Sequence, residues 1–307
     1  MTSNGLRAFV ELARAGSVRA AAERLAVTQP AVTAAVRSLE RELGVPLVAR
    51  QGRGIVLTPA GETLARYAAR VLGLLEETRD AVAESADPGH GRIRVAAVTT
   101  AGEHVLPEVI RDFRAAHPGV DVALEVGNRR LVWERLRDRG ADLAVGGRPP
   151  VGAGFTGESV RPNDLVLVAP AGMALARDPA PPSELAGATW LLREEGSGTR
   201  ATAEEFLAHA GLAPATLTIG SNGAIVESVA AGLGVTLIAH DAVRRAVQAG
   251  DVHILPVRGL PLRRAWHVVT RTGEPLRGAP AAFVGVLRAG SGKSGQSRRK
   301  GANRKRG

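Results

Sequence analysis

The stretch Ser17–Leu43, SVRAAAERLAVTQPAVTAAVRSLEREL, decides how the first part of this 307-residue chain is read. It describes two helices joined by a very short turn. Ser17 is placed to cap the first helix and Thr28 the second, each offering a side-chain oxygen to free backbone N–H groups. Pro30 falls in the first turn of the second helix, where its missing donor does no harm. Only Ala26 and Val27 separate Leu25 from Thr28, which is helix-turn-helix spacing. Val32, Val36, Leu39 and Leu43 recur at helical steps and are expected to form one buried stripe. Gln29, Thr33, Arg37 and Arg41 fall on an adjacent polar face. A helix with one apolar face and one Gln/Thr/Arg face suits reading of a DNA major groove. The competing reading of the polar face, taken alone, is an ordinary solvated surface.

Upstream, Leu6, Phe9, Val10 and Ala13 are spaced for an amphipathic helix ending near Gly16, which would complete a three-helix core. Downstream, Gly44 stops the second helix. Val45–Arg50 and Ile55–Leu57 flank the loop Gln51–Gly54, and the two runs read as a hairpin. Such a hairpin after a recognition helix is a wing, with Arg50 and Arg53 near its tip over phosphates or in the minor groove; the alternative is an incidental surface hairpin. Thr58-Pro59 opens a long helix to about Asp87, ended by Pro88-Gly89. Leu64, Ala68, Val71, Leu75, Thr78 and Val82 follow a near-heptad rhythm, which Tyr67, Leu74 and Ala81 widen. A helix of roughly 40 Å is long for one small domain. It reads either as a dimerising linker or as a helix packed within its own chain.

From Arg92 the pattern alternates between strands and helices. Strands are expected at 93–98, 120–126, 141–145, 165–169, 189–192, 217–220, 235–238, 254–257 and 266–270. Helices are expected at 103–116, 128–139, 200–210, 224–231 and 241–249. This is α/β architecture with mostly parallel sheets, in two lobes with ligand held at strand ends and helix N-termini between them. The expected organisation is a DNA-binding domain at 1–58, a linker and dimerisation helix at 59–87 and a hinge at 88–91. An effector-binding α/β domain follows at 92–290, with crossovers near 165 and 265. The Gly/Ser/Arg/Lys-rich tail 291–307 is expected to be disordered.

The formal net charge is +10, but seven of those charges sit in the tail on Lys293, Arg298, Arg299, Lys300, Arg304, Lys305 and Arg306. Better evidence for nucleic acid is local: residues 1–58 carry eight arginines against four acids. Cysteine is absent, which excludes disulfides and thiolate chemistry. No apolar run approaches the roughly 20 residues that span a membrane, and no secretory signal is apparent, so a cytoplasmic protein is expected. The seven histidines show no metal-ligand spacing. The nearest approach to a nucleophile elbow, Glu195-Gly196-Ser197-Gly198-Thr199, lacks its spacing. No catalytic residue, metal or cofactor is expected.

Several stretches carry a resemblance. AAERLAVTQPAVTAAVRSLERELGVPLVAR, GRGIVLTPAG and the helix behind them are similar to the DNA-binding domain and linker of the LysR-type transcriptional regulators. The resemblance extends in order over residues 1 to about 290. It implies a mixed fold: a winged helix-turn-helix, a long linker helix and a two-lobed α/β domain like the type 2 periplasmic solute-binding proteins. It also implies dimers or tetramers that change the bending of DNA when a small metabolite fills the cleft. VTTAGEHVLP, HPGVDVALEVGN, DLAVGGRPP, EEGSGTR and GSNGAIVESVAAGLGV resemble the branch containing regulators of carbon-fixation and cysteine-metabolism genes. Position by position, the resemblance places Gln29, Pro30, Thr33 and Arg37 on DNA, with Arg50, Arg53 and Thr58 as wing and phosphate contacts. Thr28, capping the same helix, joins this set. Thr99 and Thr100 match the effector-contacting position. The chain departs from the pattern at Ala34, where arginine is common, and lacks the usual His-Pro-Leu-Ala near Gly172–Ala176.

The residues of the second half support an anion site on their own chemistry. Thr99-Thr100-Ala101-Gly102 leaves a strand and starts a helix, where hydroxyls and free N–H groups make an anion seat. Ser197-Gly198-Thr199-Arg200 repeats the arrangement, and Arg200 is expected to clamp a carboxylate or phosphate. Asn128, Gly147, Arg148 and Asn222 sit at comparable strand ends, although any one of them alone is as readily a helix cap. The expected protein is a sequence-specific DNA-binding regulator, binding double-stranded inverted-repeat DNA as a homodimer or homotetramer. A small anionic metabolite modulates it, RNA polymerase is a further candidate partner, and no membrane is involved. The alternative is an α/β solute-binding or metabolite-converting protein with an accessory DNA-binding domain.

Overall fold

A computed structural model describes residues 1–51, 54–87 and 90–289. Arg53, half of the hinge (88–89) and the basic tail, for which a wing contact, a domain joint and disorder were expected, lie outside the described residues. The chain divides into two compact units, residues 1–91 with the short segment 135–141, and the remainder.

In the first unit, α1 (Ser3–Ala15), α2 (Val18–Leu25) and α3 (Gln29–Leu43) are each bounded by local chemistry. Thr2, Ser17 and Thr28 each accept a backbone N–H of the helix they cap. Gly16 and Gly44 end α1 and α3 at φ 65° and 71°, where a side chain would be strained. Phe9, Leu12, Val32, Val36, Leu39 and Leu47 form a buried core. Leu43 does not join it and is 40% exposed. Leu43 is the last residue of the helix, so the stripe runs past the last neighbour that could cover it. β1 (Val48–Gln51) and β2 (Gly54–Leu57) pair antiparallel, Val48 opposite Leu57 and Gln51 opposite Gly54. The Glu40 carboxylate accepts the backbone N–H of Leu47 at 2.8 Å, tying α3 to the start of this wing.

The long helix α4 runs Pro59–Ala86. Gly61 is required where it begins, because a Cβ there would lie 2.0 Å from the Leu47 carbonyl oxygen. The heptad rhythm divides in two. Ala68 is buried, and Leu64 packs beside it in the three-helix core. Tyr67, Val71, Leu74, Leu75 and Val82 are exposed.

After α4 the chain runs through β3 (Gly91–Val98), α5 (Thr99–His104), α6 (Leu106–Ala116), β4 (Val120–Gly127), α7 (Arg129–Arg137), β5 (Leu143–Gly146) and β6 (Phe155–Pro162), all in the second unit except Gly91 and the end of α7 from Arg135. The chain then builds a second lobe from β7 (Leu165–Pro170), a short 3-10 turn at Pro182–Leu185, β8 (Trp190–Leu192), α8 (Gly198–His209), β9 (Thr216–Thr218), α9 (Asn222–Ala230), β10 (Thr236–Ala239), α10 (His240–Ala249) and β11 (Val252–Ile254). It returns to the first lobe as β12 (Ala265–Arg271) and a last helix, α11, over residues 278–289. The first lobe's sheet has the order β4-β3-β5-β12-β6, and the second lobe holds sheets β10-β7-β11 and β8-β9.

The sheets are mixed rather than mostly parallel. β3 pairs parallel with β5 and β8 with β9, but β12 is antiparallel to β5 and β6, and β7 is antiparallel to β10 and β11. Strand direction depends on which distant segments pair, which periodicity does not report. The helix expected at 103–116 is two helices meeting at Val105, because Pro107 can neither donate to the preceding turn nor leave Leu106 free to continue it. The strand expected at 254–257 lies at 252–254, ahead of Pro256. β6 escaped notice because its residues, FTGESVRP, are polar and mostly exposed along one sheet edge.

Candidate functional site

On α3, Gln29, Pro30, Thr33, Ala34 and Arg37 line one open surface together with Arg41 and Val45-Pro46. The buried Val32, Val36 and Leu39 fix which way this surface faces. Among the described residues, neither Arg37 nor Arg50 has an acidic partner, and both are exposed. Their charges are free to meet phosphate or a base edge. Thr28 caps α3 through Oγ1, which accepts Ala31 N–H at 3.4 Å, and it stays exposed. Thr58 is differently engaged. Its hydroxyl accepts Gly61 N–H at 3.0 Å and donates to the Pro46 carbonyl at 2.8 Å. A phosphate oxygen needs a donor, and this one is already committed.

The α/β domain carries a cleft of about 610 Å3. Thr99, Thr100, Asn128, Gly147, Arg148, Ser197 and Thr199 line it, so strand ends more than 90 residues apart in sequence do converge. Arg200 and Asn222 do not. Arg200 donates to Glu204 at 2.7 Å and to the Arg193 carbonyl at 3.2 Å, an (i, i+4) pair on the side of α8. Asn222 is fully buried behind the wall. Asn128 lines the cleft while its Oδ1 caps α7 through Leu131 N–H at 3.0 Å. Thr99 donates to the Gly127 carbonyl at 3.3 Å.

One buried side chain lining the cleft, Arg193, was passed over by sequence reasoning. It is 4% exposed. Its Nε and Nη2 donate to the two Glu194 carboxylate oxygens at 2.7 and 2.9 Å, and Nη1 donates to Asn222 Oδ1. Asn222 Nδ2 then donates to Thr100 Oγ1 at 2.8 Å, joining the second lobe to the first. Burial works against the Glu194 carboxylate, but hydrogen bonds from Arg193 and from its own backbone, with the Arg193 and Arg200 charges nearby, hold it below its usual range. The available signal was position: Arg193 follows the apolar strand Trp190–Leu192 directly, so its stem starts inside the core. Arg129, Asn163, Arg264, Trp266 and His267 also line the cleft and were missed. All but Arg129 belong to the crossover segments, whose place is set by sheet pairing.

Two features suit the cleft to an anion. Arg129 donates to the Arg148 carbonyl at 3.0 Å, and among the described residues neither of these two cleft-lining arginines has an acidic partner. Ser197 precedes α8 and is 8% exposed, yet it does not cap its helix as Ser17, Thr28, Thr58 and Ser221 cap theirs. Among the described residues its hydroxyl and the first amides of α8 have no hydrogen-bond partner, where the helix dipole favours negative charge.

A winged helix-turn-helix whose α3 exposes Arg37, without an acidic partner among the described residues, followed by a bilobal α/β domain with a polar cleft, defines a DNA-binding regulator with an effector domain. The chain belongs to the LysR family of transcriptional regulators. Residues 3–62 match the family described as bacterial regulatory helix-turn-helix protein, lysR family, and residues 86–292 the LysR substrate binding domain. It is 36% identical to a RuBisCO operon transcriptional regulator of Acidithiobacillus ferrooxidans, over 96% of this chain and 97% of that protein. It is 35% identical to the HTH-type transcriptional regulator CfxR of Cupriavidus necator, over 90% of this chain and 87% of that one. The regulatory domain of Synechocystis PCC6803 CcmR, solved in complex with 2-PG, superposes with a TM-score of 0.62 at 26% identity, covering 65% of this chain and 97% of that domain. Among the described residues no helix is long and apolar enough to cross a membrane.

Proposed function

We propose that this regulator senses a small anionic metabolite in the α/β cleft and binds an inverted-repeat operator as a dimer joined through α4. The observation that carries the effector reading is the pairing of unspent donors at Ser197 and the α8 N-terminus with the acid-free Arg129 and Arg148 on the cleft wall. The CcmR regulatory domain, solved in complex with 2-PG, supports a small anionic ligand for a domain of this fold. The exposed Tyr67, Val71, Leu74, Leu75 and Val82 support α4 as the seam. The working boundaries are 1–58 for DNA, 59–87 for the seam, 88–91 for the hinge and 92–290 for the effector. The protein acts in the cytoplasm and turns over no substrate. Two α3 helices in a symmetric dimer set half-sites about 34 Å apart or a multiple of it.

The test is a thermal-shift screen of 2-PG, inorganic phosphate and small organic acids on the full chain, joined to footprinting of a carbon-fixation operon, the first DNA its relatives suggest. A ligand that prefers the folded state raises Tm. Silence from every anion overturns the effector reading. Turnover of any of them overturns the assignment as a non-enzyme.

A further inference from the structure

We propose that Asn222 is a positioning residue that fixes the Thr100 hydroxyl as a hydrogen-bond donor to the bound anion, which rests on the anion reading of the cleft. A guanidinium only donates, so the Asn222 atom facing Arg193 is its oxygen, and the group facing Thr100 is its NH2. Thr100 Oγ1 therefore accepts from Asn222, and its own proton has to go elsewhere. Among the described residues no acceptor takes it, and Thr100 lines the cleft. An anion seated there supplies the missing acceptor.

Asn222 is 0% exposed and does not line the cleft, so it acts through Thr100 rather than on the ligand. Arg193, bonded to the amide oxygen, polarises the amide and makes its NH2 a stronger donor. Glu194 balances the Arg193 charge, so the relay presents an oriented proton to the cleft without bringing a net charge of its own. The same bond joins residues 122 positions apart, α9 of one lobe to α5 of the other. An anion that engages Thr100 thereby strengthens a lobe-to-lobe tie.

The test exchanges Asn222→Asp in the full chain, a change of almost no volume. Aspartate only accepts, so it pairs with Arg193, takes the Thr100 proton and turns the hydroxyl away from the cleft. The expected result is an unliganded Tm at or above wild type, with 2-PG and inorganic phosphate bound about tenfold or more weakly by calorimetry. Thr100→Val separates this from simple charge repulsion: in that background Asn222→Asp adds little further loss. A wild-type affinity in Asn222→Asp, or the same loss with and without the Thr100 hydroxyl, overturns the proposal. If Asn222→Asp does not fold, Thr100→Ser and Thr100→Val decide. Serine keeps the donor and the affinity, valine loses about tenfold, and equal losses overturn the proposal. If wild type binds neither probe, the anion reading itself fails, and this inference fails with it.

Discussion

The reading face of α3 and the cleft of the α/β domain both present arginine, and they hold it in opposite ways. Arg37 is exposed, without an acidic partner among the described residues, on a helix oriented by residues within a few positions of it. Arg193 is buried, with three hydrogen bonds to Glu194 and Asn222, and takes its place only when β8, α9 and α5 come together. A surface arginine costs the fold little and is free to meet a partner. A buried one is stable only while its whole network is intact. Substitution should thus separate function from stability in one region and not in the other.

The largest effect is expected from Arg193→Ala, which strips a buried amide and a half-buried carboxylate of their partner. Stability should fall by about 3 kcal/mol in urea titration, and a change below about 1 kcal/mol would show that the cleft tolerates loss as a surface does. Next comes Arg37→Ala, expected to leave Tm unchanged while costing about 1–3 kcal/mol of discrimination between operator and mutated operator in footprinting. Thr58→Ala sharpens the contrast within the first unit. If its hydroxyl serves chiefly as the α4 cap, stability drops by about 1 kcal/mol and the salt dependence of DNA binding is unchanged. Arg50→Ala should do the reverse, reducing the salt slope by about 0.9 without shifting Tm.

The smallest effect is one of pH. Glu194 is held below its ordinary pKa in the fold, so its contribution to stability is complete above the unfolded carboxylate value and is lost as pH falls through the depressed folded one. Glu194→Gln should flatten that acid-side loss in a Tm-against-pH series and leave the slope above neutral pH alone.

Legibility followed the same division. Ser17, Thr28 and Gly44 act within one or two turns of themselves, so the sequence reading of α2 and α3 agrees with the structure. It failed at Leu43, where the pattern continued but the covering neighbour did not. In the cleft, local reasoning located the strand ends at Thr99, Asn128, Gly147 and Ser197. It chose Arg200 as the clamp because that arginine opens a helix. Arg200 turns along α8 to Glu204, four residues on, while Arg193 goes inward. Which of two nearby arginines is buried depends on what lies across the lobe boundary, and no spacing rule carries that information.

By itself the sequence determined the helix-turn-helix, its caps, the wing strands, the long helix and the alternating character of the second half. Each of these is set by hydrogen bonds and apolar contacts over short separations, which composition and period record directly. Tertiary structure alone decided the mixed strand directions, the division of the α4 rhythm between a buried part and an exposed one, and the relay from Glu194 through Arg193 and Asn222 to Thr100. These rest on pairings between segments tens to more than a hundred residues apart, where a donor meets its acceptor only because the whole core has closed around both.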